Sequence, residues 1–286
     1  MITLAAGDYT ATLAPAGAEL QRFTWRGHEL LWSGDPTWWA RRAPLLFPVV
    51  GAVARGPLPK HGFARDRVWE VLATGPATAR VRLADDAATR EVYPHAFDLQ
   101  LEVALSAQGL RMTAILRNPG TASLPAQFGF HPAFRWPLFP GTSREAHRLR
   151  FEAEEPGPLR QLQGDLLSPT RRPTPVVGRE VALSDACFQE DALIWEAPRS
   201  RELHYGIPGH PELVLRWDLP AFACWTKPGA PFLCLEPWQG LADEVGASGD
   251  LSDRPGSLHL APGAEQRWAL EARIQPTLEG DPARSD

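Results

Sequence analysis

Lysine is almost missing from this chain. Lys60 and Lys227 are the only two in 286 residues, so nearly all the positive charge is arginine. Cysteine is as sparse, with Cys187, Cys224 and Cys234 alone. Three is an odd number, too few for a disulfide framework, and their spacing contains no Cys-x-x-Cys. No two histidines stand three to five residues apart, so the local ligand pair of a zinc site is absent and no metal is expected. Gly-x-Gly-x-x-Gly, the phosphate loop ending in Gly-Lys-Ser/Thr, and Gly-x-Ser-x-Gly are all missing, which argues against a nucleotide cofactor and against a serine nucleophile. No cofactor of any kind is expected. No run of about 18 apolar residues occurs, so nothing reads as a membrane-spanning helix. The start, Met1-Ile-Thr-Leu-Ala-Ala-Gly-Asp8, lacks the basic flank and apolar stretch of a signal peptide, and the expectation is a cytoplasmic protein. The formal net charge of −5 offers no field for nucleic acid or an anionic membrane, and neither is expected as a partner.

What is present is apolar and aromatic. Apolar residues make up 44% and charged residues 22%, enough to build a sizeable core. Eleven tryptophans, residues that usually serve packing, also supply flat apolar faces suited to stacking on sugar rings. Short segments alternate at period two: Tyr9–Leu13, Glu19–Trp25, Ala79–Leu83, Phe97–Ala104, Leu110–Asn118, Leu213–Trp217 and Gln266–Ile274 among them. Turn signals such as Pro15-Ala-Gly17, Asn118-Pro-Gly120 and Ala261-Pro-Gly263 punctuate these segments. No capped helical stripe alternates with the strands, so a doubly wound parallel sheet is excluded. The expected fold class is all-β, a large antiparallel sandwich or barrel. Residues 1–278 read as one domain, with 154–186 as a Pro- and Gly-rich surface excursion. Residues 279–286 read as a polar, frayed tail.

Four blocks carry candidate chemistry. In Lys60-His-Gly-Phe-Ala-Arg-Asp66, His61 precedes a glycine on irregular backbone, where binding groups concentrate. In Phe128-Gly-Phe-His-Pro-Ala-Phe134, His131 lies among three phenylalanines before Pro132, which holds its backbone extended. Burial there keeps an imidazole neutral, and a satisfied core histidine is the competing reading. In Pro231-Phe-Leu-Cys-Leu-Glu-Pro-Trp-Gln-Gly240, an apolar strand runs into Glu236, where Pro237 is expected to stop the ladder. A carboxylate in that setting is costly unless paired or functional, and its pKa is pushed up toward the range useful for proton transfer. A structural Glu bonded to backbone amides is the alternative. Asp191 leads the apolar segment ending at Trp195, and Trp225 precedes the Glu236 strand as a stacking face or as plain core.

Taken together and in this order, "RRAPLLFPVVG", "KHGFARD", "FGFHPAF", "EDALIW" and "PFLCLEPWQG" resemble the aldose 1-epimerase (galactose mutarotase) family, and most closely its bacterial LacX-like branch. The likeness runs from Trp38 through Gln239. It implies a galactose-mutarotase-like β-sandwich (a supersandwich) and interconversion of the α and β anomers of an aldose, a small-molecule partner. By the same resemblance Glu236 matches the family's general base and His131 its general acid. His61 matches a histidine that orients the sugar, and Asp191 matches a sugar-binding aspartate, although the usual Asp-His-Asn triplet reads Asp-Ala-Leu here. Arg41 and Arg65 fall where this branch carries arginine near the site, and Trp225 is expected to wall it. The Asn-Arg block of authentic galactose mutarotases is absent, so the likeness does not extend to galactose as substrate.

The residues suit that chemistry. Mutarotation needs a base for the C1 hydroxyl proton and an acid for the ring oxygen, and neither a metal nor a nucleotide. Alternative readings are a hexose-6-phosphate 1-epimerase, which would need converging arginines such as Arg41, Arg55 and Arg65, and a non-catalytic sugar-binding protein. A two-carboxylate glycosidase lacks a visible partner for Glu236. His61, His131 and Glu236 lie 70 and 105 residues apart, so only the fold can unite them. Glu236 and His131 are expected to face each other across roughly 5–8 Å, each reaching its own sugar oxygen at about 2.6–3.2 Å.

Overall fold

The computed structural model describes residues 1–276, so the tail expected at 279–286 lies outside the described residues. The described residues fold as antiparallel sheets, with a single short α-helix, Ala87–Val92, capped by the Asp86 carboxylate on the Thr89 N–H. That helix was not visible as a periodic stripe because six residues hold under two turns. No helix among the described residues is long and apolar enough to cross a membrane.

The larger sheet has nine strands. Its centre runs Glu202–Gly206, Glu212–Trp217, Glu265–Gln275, Gly109–Arg117 and Asp98–Ser106, with Glu70–Thr74 at one edge and Glu180–Ala182 at the other. The second sheet contains eight strands, with Ala221–Trp225 and Phe232–Gln239 at its middle and Phe128–Phe130, Leu45–Leu46 and Ala133–Arg135 alongside. A four-stranded amino-terminal meander (Ile2–Ala6, Tyr9–Ala14, Glu19–Trp25, His28–Glu29) completes the covering.

The period-two pattern decides what each face meets. Along Phe232–Gln239, Leu233 and Leu235 enter the main core with Leu203, Tyr205, Leu213 and Leu215 of the larger sheet. Aromatic pairs close the same interior: Phe128 stacks on Trp268 at 5.0 Å, and Phe151 meets Trp195 at 5.1 Å. Each such fully buried aromatic contributes about 1.5–3 kcal/mol relative to exposure. Phe232, Cys234 and Trp238 point the other way, into smaller apolar clusters with Trp32, Ala133 and Leu46. Glu236 shares that outward face, and this face carries the site.

Two local expectations need correction. Residues 154–186 are not a surface excursion: Leu159–Gln163 and Leu166–Arg172 form a hairpin in the eight-stranded sheet, and Glu180–Ala182 edges the other. Leu159 and Leu167 are fully buried, so the Pro-rich spacing concealed real strands. Nor does Pro237 stop its ladder. It stands opposite Phe222 within a continuous strand, since a missing N–H costs little where no ladder bond is required of it.

Candidate active site

Register brings the first two residues together. Gly129 pairs with Trp238 and Ala133 with Cys234, the same antiparallel register on either side of a break. His131 lies in that break and is therefore opposite Glu236. The chain at the break is held by the His131 N–H donating to the Pro44 carbonyl and the Leu235 N–H donating to that of Pro132. His131 Nε2 lies 3.0 Å from Glu236 Oε2. His131 is 7% exposed and Glu236 only 1%, at the floor of a cavity of about 270 Å³. Among the described residues neither Glu236 Oε2 nor His131 Nδ1 has an aligned hydrogen-bond partner, and both atoms are buried.

The 5–8 Å gap expected between them does not exist. The register that sets His131 opposite Glu236 puts their side chains in direct contact instead.

Burial dominates their protonation. It lowers the His131 pKa from 6.5 to about 3, with Arg65 and Lys60 adding to the effect. It raises Glu236 well above 4.5; Asp191 pushes the same way and Lys60 opposes. Both shifts favour the neutral side chain, because a low-dielectric floor penalises either charge. The pair thus holds one exchangeable proton between them, favoured on the carboxyl group.

His61 reaches the site from a loop, with φ of 67°, and Gly62 beside it has φ of 69°. A Cβ on Gly62 would stand 2.1 Å from the Phe47 carbonyl oxygen, so only glycine fits. The His61 N–H donates to the Gly51 carbonyl, and the Gly51 N–H returns a bond to His61 Nδ1 at 3.0 Å. With Nδ1 accepting, the neutral ring carries its proton on Nε2. His61 is kept neutral, its pKa well below 6.5 from burial and from His131, whose ring centroid is 5.6 Å away, edge to face.

Tryptophans wall the cavity. The Trp39 ring lies 5.0 Å from the His131 ring, and Trp225 meets Trp39 at 5.8 Å. Trp238 lines the wall beyond Glu236. At the rim, Asp191 has φ of 68°, an uncommon left-handed conformation for a non-glycine residue. Arg65 donates to the Lys60 carbonyl at 2.6 Å, and Lys60 pairs with Asp165 at 2.6 Å.

Six of the seven residues named from sequence therefore meet at one cavity: Glu236, His131, His61, Arg65, Asp191 and Trp225. Arg41 does not line it. It stands behind Arg65, bonded to Asp66 at 2.5 Å and to the Arg65 carbonyl at 3.3 Å, and reaches the cavity only through its field. Sequence reasoning missed Trp39, Lys60, Asp165 and Trp238 as lining residues. The doublet Trp38-Trp39, apolar rings in a loop without strand alternation, was the available signal.

Cys224 and Cys234 are buried free thiols with pKa values pushed up by burial, while Cys187 is half-buried and free. The fold does bring one donor atom each from His131, Cys234 and Glu236 within 4.8 Å, which local spacing did not foreshadow. A dication there would require the Cys234 thiolate, which burial and the neighbouring Glu236 both disfavour.

Comparison with known proteins agrees over nearly the whole chain. The family model for aldose 1-epimerase matches residues 1–272. Protein LacX of Lactococcus lactis is 26% identical over 257 residues, covering 82% of this chain and 86% of its own length. A galactose mutarotase-like protein from Lactobacillus casei, solved by crystallography, superposes with a TM-score of 0.88 at 26% identity, over 96% of this chain and all of that one. A galactose mutarotase related enzyme from Lactobacillus acidophilus gives 0.87 at 27% identity, over 97% and 98%.

Proposed function

The chain belongs to the aldose 1-epimerase family, and from that premise we propose that it interconverts the α and β anomers of an uncharged aldose by acid–base ring opening and reclosure. The observation that carries this reading is the buried His131–Glu236 pair, 3.0 Å apart at the floor of a tryptophan-walled cavity. At about 270 Å³ that cavity falls just under the roughly 300–1,000 Å³ typical of drug-sized ligands, which suits one sugar ring.

Ring opening uses Glu236 as a carboxylate and His131 as an imidazolium. The carboxylate accepts the C1 hydroxyl proton, the C1–O5 bond breaks, and the imidazolium donates a proton to O5. What remains is an open-chain aldehyde, a neutral carboxylic acid and a neutral imidazole. That neutral pair is the form burial favours, so the site is arranged to hold the proton inventory of the open-chain half of the cycle. Rotation about C1–C2 presents the other carbonyl face. Reclosure then returns the O5 proton to His131 and the Glu236 proton to O1. For a ring arriving at the neutral pair, one proton must first pass from Oε2 of Glu236 to Nε2 of His131 across their 3.0 Å contact. His61 Nε2–H is a third donor, fixed by Gly51 and available to orient a sugar hydroxyl. No group outside these side chains is called for.

Rim charge supports a free sugar over a sugar phosphate. The cations Lys60 and Arg65 are matched by Asp165 and Asp191, Lys60 is paired, and Arg65 is bonded to a carbonyl. A phosphate dianion needs converging, unspent donors. Anomer exchange followed by NMR across free and phosphorylated aldoses tests the reading. Catalysed exchange of a free aldose is expected, whereas sugar binding without exchange would select a non-catalytic sugar-binding protein.

A further inference from the structure

Behind the cavity wall lies a buried ion pair that the proposed chemistry does not use. Arg254 and Asp243 meet at 2.9 Å, their side chains 0% and 1% exposed. Such a pair adds little net stability, because the cost of taking two charges out of water largely offsets their attraction. Its neighbours show what it holds. The Arg254 guanidinium donates to the carbonyls of Val50 at 2.8 Å, Ala52 at 3.2 Å and Leu241 at 3.1 Å. The Asp243 carboxylate accepts from the Ala54 N–H at 2.6 Å, and the Asp243 N–H donates to the Ala52 carbonyl. Gln127 completes the grip. Its Oε1 accepts from the Val50 N–H at 2.8 Å, and its Nε2 donates to the Pro255 carbonyl at 3.0 Å.

These bonds fall on Val50, Ala52 and Ala54, every second residue of one loop segment. Gly51, between the first two, lines the cavity and gives both its backbone groups to His61. We propose that Arg254 is a positioning residue: by fixing the peptides on either side of Gly51, it aims the His61 ring and selects the tautomer that carries its proton on Nε2. This rests on the proposed epimerase reading for what His61 does to the sugar, though not for the geometry.

Packing leaves this loop no slack. Gly51 has φ of 70°, and a Cβ there would stand 2.5 Å from that of Ala242. A Cβ on Gly240 would stand 2.4 Å from the Gln127 side chain. The loop therefore lies with its backbone pressed on the segment 240–242, and Leu241 and Ala242 line the same cavity as Gly51 and His61. One planar, forked guanidinium reaches both segments and Asp243 together. A lysine ammonium keeps the charge but not the fork, so it can hold Asp243 without clamping the carbonyls.

Two variants of the full chain test this. Arg254→Lys keeps a charge beside Asp243 and removes the fork. Arg254→Met combined with Asp243→Asn removes both charges and leaves neither unpaired. In two-bond proton–nitrogen NMR of the imidazole rings, assigned by comparison with His61→Asn, wild-type His61 should show the Nε2–H tautomer alone. Both variants should show a mixture with the Nδ1–H form. In anomer exchange of a free aldose, each variant should raise KM about tenfold and leave kcat within about threefold. In a His61→Asn background, Arg254→Lys should raise KM no further, since the residue acts through His61. An unchanged His61 tautomer, an equal KM effect with His61 absent, or loss of the fold in both variants would overturn the positioning role. A shifted tautomer in a protein whose wild type exchanges no sugar would uphold it and defeat the epimerase reading instead.

Discussion

His131 stands opposite Glu236 in the register of a sheet that is broken at that very place. Ordinary pairing on both sides, Gly129 with Trp238 and Ala133 with Cys234, fixes the position as firmly as a ladder bond would. The break frees the His131 ring from strand packing and lets it approach the carboxyl group at 3.0 Å. The site is thus a gap in a sheet, held by the sheet.

Replacing His131 by Asn should lower turnover by roughly 10²–10⁴-fold, the usual worth of a positioned acid or base, with the fold intact. Exchange rates measured beside a circular-dichroism melt check this. A loss under threefold would move the proton donor elsewhere, His61 being the next candidate.

Stability should report the buried carboxyl group. Burial raises the folded pKa of Glu236 well above 4.5, so the folded chain keeps a proton that the unfolded chain loses above about that value. Its contribution to stability therefore declines as pH rises through the folded pKa. Glu236→Gln cannot lose that proton, so its Tm relative to wild type should climb as pH rises above about 4.5. His131 acts oppositely: with its value lowered from 6.5 to about 3, its contribution is present above 6.5 and lost as pH falls toward 3, in both proteins alike. A Tm difference that stays flat as pH rises above about 4.5 would contradict a buried, proton-holding Glu236.

Gly62→Ala should cost more than about 1 kcal/mol in urea denaturation, since the new methyl group meets a carbonyl oxygen at a positive-φ position. Because Gly62 sets the turn that delivers His61, surviving protein should also show a raised KM. A neutral outcome on both would mean that the loop relaxes freely.

The matched charges at the rim make a substrate prediction. Free aldoses should exceed their 6-phosphates in kcat/KM by at least about tenfold. Asp165→Asn, which releases Lys60, should narrow that margin. Turnover of the 6-phosphate equal to or better than that of the free sugar would reverse the assignment.

Much of this was legible in the sequence because period-two alternation is a local property. Glu19–Trp25 reads directly as a strand and is one. The hairpin within 154–186 was not legible, since its proline and glycine content resembles a loop and its buried Leu159 and Leu167 matter only against distant strands. At the site, the sequence pointed to individual residues through their settings: a histidine among phenylalanines, a glutamate at the end of an apolar run. It could not give distances. The direct contact of His131 with Glu236, the withdrawal of Arg41 onto Asp66, and the arrival of Trp39 over the His131 ring all depend on register and loop course between residues 105, 25 and 92 positions apart.

The most direct measurement is two-dimensional exchange NMR of an aldose at anomeric equilibrium, with wild type and Glu236→Gln side by side. Gln keeps the shape and removes the exchangeable carboxyl proton. The account predicts α/β cross-peaks growing with wild-type concentration well above the spontaneous rate, and a fall of roughly 10²–10⁴-fold in the variant. Equal catalysis by the two proteins, or no catalysis by wild type with any aldose, would contradict it.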